Sequence, residues 1–331
     1  MRSAAAILLT RSEVESVCDL DECIVAVESA FRLRGEGHAR PPGVLSFPYV
    51  GGGFHIKAAG LDLSRSYFAA KINGNFSQNP ERHGLPAIQG VIVLCDAENG
   101  SPLALLDSIA ITIARTGAAT AVAAKYLARR ESRVATICGC GNQGRVQLRA
   151  LLKVCPIERV YAYDTDTSRA VLFADDLRDV LPVEIERAQS LSHALRASDV
   201  IVTCTPSREP FVRLEDVAAG TFVAAVGADS PEKRELDPRL LAASKIVADI
   251  QDQCAEIGEL HHGLASGLVR LESVHAELAD VVTGSKAGRE SASEIIVFDS
   301  TGTALQDVAA AALVYERARL TGVGTACRLG S

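Results

Sequence analysis

Between Arg133 and Thr301 the chain alternates short, almost wholly apolar runs with helix-length stretches. The runs are RVATICG, RVYAYD, VEIERA, DVIVTCT, TFVAAVGAD, KIVADI and EIIVFDS, and stretches such as Gln143–Val154 and Thr167–Val180 separate several of them. A strand apolar on both sides needs cover on both sides, and parallel neighbours need helical crossovers. The pattern therefore predicts an α/β domain of the doubly wound, nucleotide-binding kind over residues 125–302.

The first run leads into GCGNQG, which is Gly139-x-Gly141-x-x-Gly144 with Asn142 and Gln143 between the last two glycines. That spacing alone also fits a structural turn. Here it follows an apolar strand, opens a helical stretch, and is answered by Asp164 at the end of RVYAYD, 20 residues after Gly144. In a dinucleotide site the glycines give a tight turn, room for the pyrophosphate and close helix–strand contact. The helix N-terminus supplies N–H groups and positive dipole. Asp164 would accept from the ribose hydroxyls and repel a 2′-phosphate, so the expected cofactor is NAD(H), with NADP(H) the second choice.

The first third lacks this alternation. Helical stretches over Arg11–Arg34 and Ile109–Arg129 flank strand-like runs at GFHIKAAG, YFAAKING and IQGVIVLCDAENGSPLALLD, the last with a hairpin signal at ENG. A further helix, TALQDVAAAALVYERARLTG, ends at glycine, and its alanine-rich face is expected to dock on this first part. The expectation is a discontinuous α+β domain, residues 1–124 with 303–331, beside the Rossmann domain. The opening MRSAAAILLTRSEVES reads as a strand entering a capped helix rather than a signal peptide.

Composition narrows the function classes. A formal net charge of -7 offers no basic surface to nucleic acid, and no run of eighteen apolar residues suggests a membrane span. Nine dispersed cysteines point to reduced thiols in a cytoplasm. Cys138-x-Cys140 has no second pair, and His261-His262 reads as a solvated helical pair, so no metal is expected.

Substrate in such a fold lies beyond the carboxyl ends of the strands. Thr205, Asp229 and Ser300 fall there. A strand-end carboxylate such as Asp229 can be partly desolvated and exchange protons near neutrality. Asp is also a favoured N-cap, and a helix cap after Pro231 is the competing reading.

Taken together, LLDSIAITIARTGAATAVAAKYLAR, GCGNQG, VGADSPEKRELD and VFDSTGTALQD resemble, in this order, the ornithine cyclodeaminase/mu-crystallin family. The resemblance implies a homodimer paired through its first domains, with the active site between the two domains and a small 2-imino or 2-amino acid as substrate. It implies that Lys71 contacts the substrate carboxylate, that Arg115 lies near carboxylate and cofactor, and that Asp229 is the acid/base. It also places Thr116, Asn142, Gln143, Asp164, Thr205, Gly227, Lys233 and Ser300 at or beside the cofactor, with Arg40 a further carboxylate contact. A cationic fork for a carboxylate is what Lys71 and Arg115 can supply.

The chain departs from the family pattern at HIKAAG. His55 stands where ornithine cyclodeaminases carry a glutamate, and Lys57 where many members carry methionine. Lys57 would suit a second carboxylate or tighter carboxylate capture; the competing reading is an exposed edge-strand lysine. Three functions follow: an imine reductase reversible as an amino-acid dehydrogenase, an ammonia-releasing ornithine or lysine cyclodeaminase, or a cofactor-dependent binding protein without turnover.

Overall fold

A computed structural model describes residues 5–328. Residues 1–4 and 329–331, at the two ends of the expected first domain, lie outside the described residues. The chain divides into two compact units, Met1–Arg115 with Thr303–Ser331, and Thr116–Gly302.

The first unit begins with β1 (Ala6–Leu9), α1 (Arg11–Val17), α2 (Leu20–Gly35), β2 (Gly43–Tyr49), β3 (Gly52–Asp62), β4 (Ser66–Asn75), α3 (Asn79–His83), β5 (Ile88–Asp96) and β6 (Pro102–Asp107). Helix α4 (Ser108–Leu127) follows, and the boundary between the units falls inside it. The single helix expected over Arg11–Arg34 is two, because Asp19 accepts from the Glu22 N–H at 3.0 Å and starts a second helix. β5 and β6 form the hairpin expected around ENG, turning at Gly100 with φ +75°.

Register sorts the residues of β3 and β4 by face. Lys57 faces Lys71, Ala59 faces Ala69 and Leu61 faces Tyr67 on the inner side, where Ala59, Leu61, Tyr67 and Ala69 are core. The alternate residues point outward, and Leu8, Phe54, Phe68, Ile72, Val91 and Leu105 are all left exposed there.

In the second unit the elements are β7 (Val134–Cys138), α5 (Asn142–Leu151), β8 (Arg159–Tyr163), α6 (Thr167–Arg178), β9 (Glu184–Arg187), α7 (Leu191–Arg196), β10 (Val200–Thr203) and β11 (Phe222–Ala225). Then come α8 (Pro238–Ala242), β12 (Lys245–Ala248), α9 (Gln251–Ile257), α10 (Glu259–Ala265), β13 (Val274–Glu277), α11 (Leu278–Thr283) and β14 (Ile296–Asp299). The sheet order is β13-β12-β14-β11-β10-β7-β8-β9, and every neighbouring pair is parallel. The chain winds outward from β7 to β9, then returns to β10 on the other side of β7. That reversal is the topological switch point where doubly wound sheets open a crevice. β10, β11 and β14 are buried along their whole lengths, as their unbroken apolar runs require.

The chain then returns to the first unit with α12 (Ala304–Thr321) and β15 (Thr325–Cys327). β15 pairs antiparallel with β1 and completes the order β15-β1-β6-β5-β4-β3-β2. α12 packs on α2, β3 and β4, and Gly322 at φ +73° ends it. Its burial extends beyond the alanine face, and Gln306 and Asp307 are inside as well.

Candidate functional site

In the second unit two of the three glycines of the β7–α5 turn, Gly139 and Gly144, do something a larger residue could not. Gly139 has φ +103°, and a Cβ there would lie 2.8 Å from the Cys204 carbonyl. At Gly144 a Cβ would collide with the Gly139 carbonyl, so α5 meets the strand only through glycine. Gly141 faces open space. It is also the N-cap of α5, and no side chain caps that helix. An exposed backbone at an uncapped helix start suits a pyrophosphate, and the residues present therefore fit a dinucleotide.

Asp164 follows β8 and is pre-oriented by this loop. Its Oδ2 accepts from the Cys140 N–H at 2.9 Å and its Oδ1 from the Asp166 N–H at 3.0 Å. It lines a cavity of about 190 Å3 with Tyr163, Thr165, Thr167, Ala170 and Arg187 among its walls. A carboxylate in this place suits ribose hydroxyls. Arg187 comes from the next strand, β9, and neither GCGNQG nor RVYAYD points to it.

Thr205 and Gly227 lie just past β10 and β11, and Ser300 is buried just past β14. Asn142 and Gln143 open α5, and Thr116 is buried in α4. Asp229 corrects an expectation. Its side chain is more than half exposed rather than desolvated, and its Oδ1 accepts from the Lys233 ammonium at 2.6 Å. The helix-cap reading falls too, because the next helix begins at Pro238 and is capped by Asp237.

In the first unit Lys71 on β4, Arg115 on α4 and Asp307 on α12 form a buried ion cluster. The three residues are 4%, 5% and 1% exposed. The Lys71 Nζ is 2.7 Å from Asp307 Oδ2, and the Arg115 Nε donates to Asp307 Oδ1 at 3.0 Å. Arg115 Nη1 also donates to Gln306 Oε1 at 3.0 Å. Burial pushes the Lys71 ammonium down to about 7, against the pull of Asp307 and with help from Arg115 and Lys57. Burial would raise the Asp307 carboxyl, but the charges of Lys71 and Arg115 outweigh it and hold it below its ordinary value. Asp307 escaped the sequence reading, although a lone acid inside ALQDVAAAALV was a signal.

Lys57 stands opposite Lys71 on the inner sheet face, and its charge acts on both Lys71 and Asp307. His55, two residues back on the same face, is exposed and within 3.1 Å of Ser46 Oγ through Nδ1. Arg40 stands apart. It lies over Gly60 on the outer face, pairs with Asp62 at 3.6 Å, and lines a cavity of about 710 Å3 with Phe68 and Cys95. Among the described residues no group of histidine, cysteine and carboxylate side chains is arranged to hold a metal ion.

The sequence matches the Ornithine cyclodeaminase/mu-crystallin family over residues 4–322. An alanine dehydrogenase of Archaeoglobus fulgidus is 41% identical over 320 residues, covering 96% of this chain and 97% of that protein. Among solved structures, an archaeal alanine dehydrogenase dimer with bound NAD superposes with a TM-score of 0.94 at 41% identity, covering 98% of this chain and 99% of that one. The Δ1-pyrroline-2-carboxylate reductase of Thermococcus litoralis, in complex with NADH and L-proline, superposes with a TM-score of 0.92 at 35% identity, covering 96% and 99%.

Proposed function

The chain belongs to the ornithine cyclodeaminase/mu-crystallin family, and from that premise we propose that it is an NAD(H)-dependent reductase of 2-imino acids that runs in reverse as an amino-acid dehydrogenase. The observation that carries this reading is the buried Lys71–Asp307–Arg115 cluster with Lys57 beside it. Two buried cations share one carboxylate, and the charge of Lys57 also acts on this cluster. Fixed positive charge of this kind is costly unless an anion completes it. A 2-imino acid brings that anion on the carbon that is reduced. The alanine dehydrogenase and pyrroline-2-carboxylate reductase relatives, by name, also work at carbon 2 of an amino acid.

In this reading the N–H groups of Gly141, Asn142 and Gln143 hold the pyrophosphate, and Asp164 holds the adenosine ribose. Thr205, Gly227 and Ser300 border the rest of the dinucleotide. When bound, NADH supplies the hydride that ends on carbon 2. Lys71 and Arg115 grip the substrate carboxylate, and Lys57 strengthens that grip or takes a second carboxylate. Lys233 orients the Asp229 carboxylate, which relays a proton taken from solvent water to the nitrogen. Positioning is most of what the protein contributes to such a transfer.

The exposed outer sheet face of the first unit fits a homodimer, because Leu8, Phe54, Phe68, Ile72, Val91 and Leu105 form an apolar surface that a second copy would cover. The archaeal alanine dehydrogenase structure is also a dimer. All nine cysteines are free, which suits the reducing cytoplasm we assign to the chain.

The deciding experiment follows NADH and ammonia separately with pyrroline-2-carboxylate, with pyruvate plus ammonia, and with L-ornithine. NADH consumption with an imine supports the reductase. Ammonia released from ornithine with no net change in NADH would make the protein a cyclodeaminase instead. Tight NADH binding with neither reaction would leave a binding protein.

A further inference from the structure

Glu235 lies between β11 and α8, inside the VGADSPEKRELD segment, and has had no part in the chemistry so far. It is fully buried, and its carboxylate accepts from four donors. Oε1 takes the Thr205 N–H at 2.6 Å and the Thr205 hydroxyl at 2.7 Å. Oε2 takes the Thr203 hydroxyl at 2.6 Å and the Gly227 N–H at 2.9 Å. No arginine or lysine is among these partners. Burial pushes the carboxyl up, and the hydrogen bonds from Thr203, Thr205 and Gly227 work against that shift.

A buried carboxylate without a cation is a poor device for stability, since an apolar residue of the same shape would do as well or better. Its use is geometric. One rigid group bonds the backbone ends of two adjacent strands, β10 through Thr205 and β11 through Gly227. The clamp is itself clamped: the Glu235 N–H donates to Glu259 Oε1 at 2.7 Å, and the Glu259 N–H donates to Asp299 Oδ1 at 3.1 Å. Space is tight as well, for a Cβ on Gly227 would run into the Thr205 carbonyl and the Glu235 carboxyl. The β10 end also abuts the glycine turn through Cys204 and Gly139. The bonded loops therefore form the rim of the crevice at the switch point.

We propose that Glu235 is a positioning residue for the dinucleotide, tying the ends of β10 and β11 into one rim that shapes the half of the crevice beyond the switch point. That half receives the second, nicotinamide nucleotide, whereas the glycine turn and Asp164 serve the adenosine diphosphate part. The inference rests on the dinucleotide reading above.

The test compares NADH with ADP, which lacks the nicotinamide and its ribose. Both are titrated by calorimetry against the wild-type chain, Glu235→Gln and Glu235→Asp. Glutamine keeps the shape but turns an NH2 group toward donors, and aspartate keeps the charge but withdraws it by one methylene. The expected result is NADH binding weakened about tenfold or more in Glu235→Gln, equivalent to losing one charged hydrogen bond. ADP binding should stay within about twofold, and Glu235→Asp should fall between. Equal weakening of both ligands would reduce Glu235 to a general structural role, and no change in either would remove it. If Glu235→Gln does not fold, the same comparison on Glu235→Asp decides. A wild-type chain that binds neither ligand would sink the dinucleotide reading itself.

Discussion

Asp307→Asn is the substitution that most directly probes the buried ion cluster. Asparagine preserves volume and removes the one carboxylate that neutralises Lys71 at 2.7 Å and Arg115 at 3.0 Å. Breaking a buried pair by removing one partner costs about 3–5 kcal/mol. For a domain of this size each kcal/mol lowers the melting temperature by roughly 2–4 °C. The cost must also depend on pH. The Lys71 ammonium sits at about 7 in the folded chain against an ordinary 10.5, so between those values the unfolded chain binds more protons and stability rises with pH. The penalty of burying charged Lys71 is full below about pH 7 and relieved toward 10.5. At pH 6 Asp307 offsets that penalty; at pH 9 Lys71 is already neutral and Asp307 matters chiefly to Arg115. A nearby opposite charge is worth roughly 1–3 pKa units. Because Lys71 can release its proton at pH 6 once Asp307 is gone, the extra loss is limited by the one unit between 7 and 6, and the variant should lose about 1–1.4 kcal/mol more at pH 6 than at pH 9. Thermal and urea unfolding of both chains at the two pH values measure the difference. Equal destabilisation at both, or none, would refute Asp307 as the counter-ion of a charged Lys71.

Other consequences follow from the same geometry. If Lys71 grips the substrate carboxylate as an ammonium, the imino-acid KM should climb as pH passes about 7, and Lys71→Arg should flatten that climb; a flat wild-type profile would speak against the role. Asp164→Ser should move the NADPH-to-NADH ratio of kcat/KM by roughly tenfold or more, since a charged hydrogen bond is worth about 1.5–3 kcal/mol; equal use of both cofactors by the unmodified chain would contradict the selection. Phe68→Asp with Ile72→Asp places charge on the outer sheet face and should yield monomers by light scattering, since each large apolar side chain contributes about 1.5–3 kcal/mol when buried. A dimer that survives both changes would put the interface elsewhere.

The parallel sheet and its glycine turn were legible because both rest on local necessity. Strands buried on both faces must be apolar throughout, and a turn with φ +103° at Gly139 calls for glycine. β2 was not legible. All seven of its residues are exposed and it contains Pro48, so neither alternation nor an apolar run marks it. β13, reading VHAE, is too polar to stand out. The break between α1 and α2 was readable, since Asp19-x-x-Glu22 is a helix-start signature, but the helical periodicity on both sides masked it. Asp307 and Glu235 share another difficulty. Their partners lie far away in sequence or on other strands, and only tertiary structure shows that burial has made them matter.

The first unit is interrupted, and this has a consequence for how the chain is made. On a ribosome, residues 1–115 emerge before the second unit, yet their sheet lacks β15 and their inner face lacks α12 until after residue 302. During that interval Lys71 and Arg115 have no Asp307 and must stay hydrated, so the inner face of β3 and β4 cannot close. The inserted second unit needs nothing from the tail for its own sheet and can finish first. The segment that brings the missing negative charge is thus made only after the whole second unit, and a nascent chain halted before Thr303 would expose both an open apolar face and two unpaired cations to chaperones and proteases.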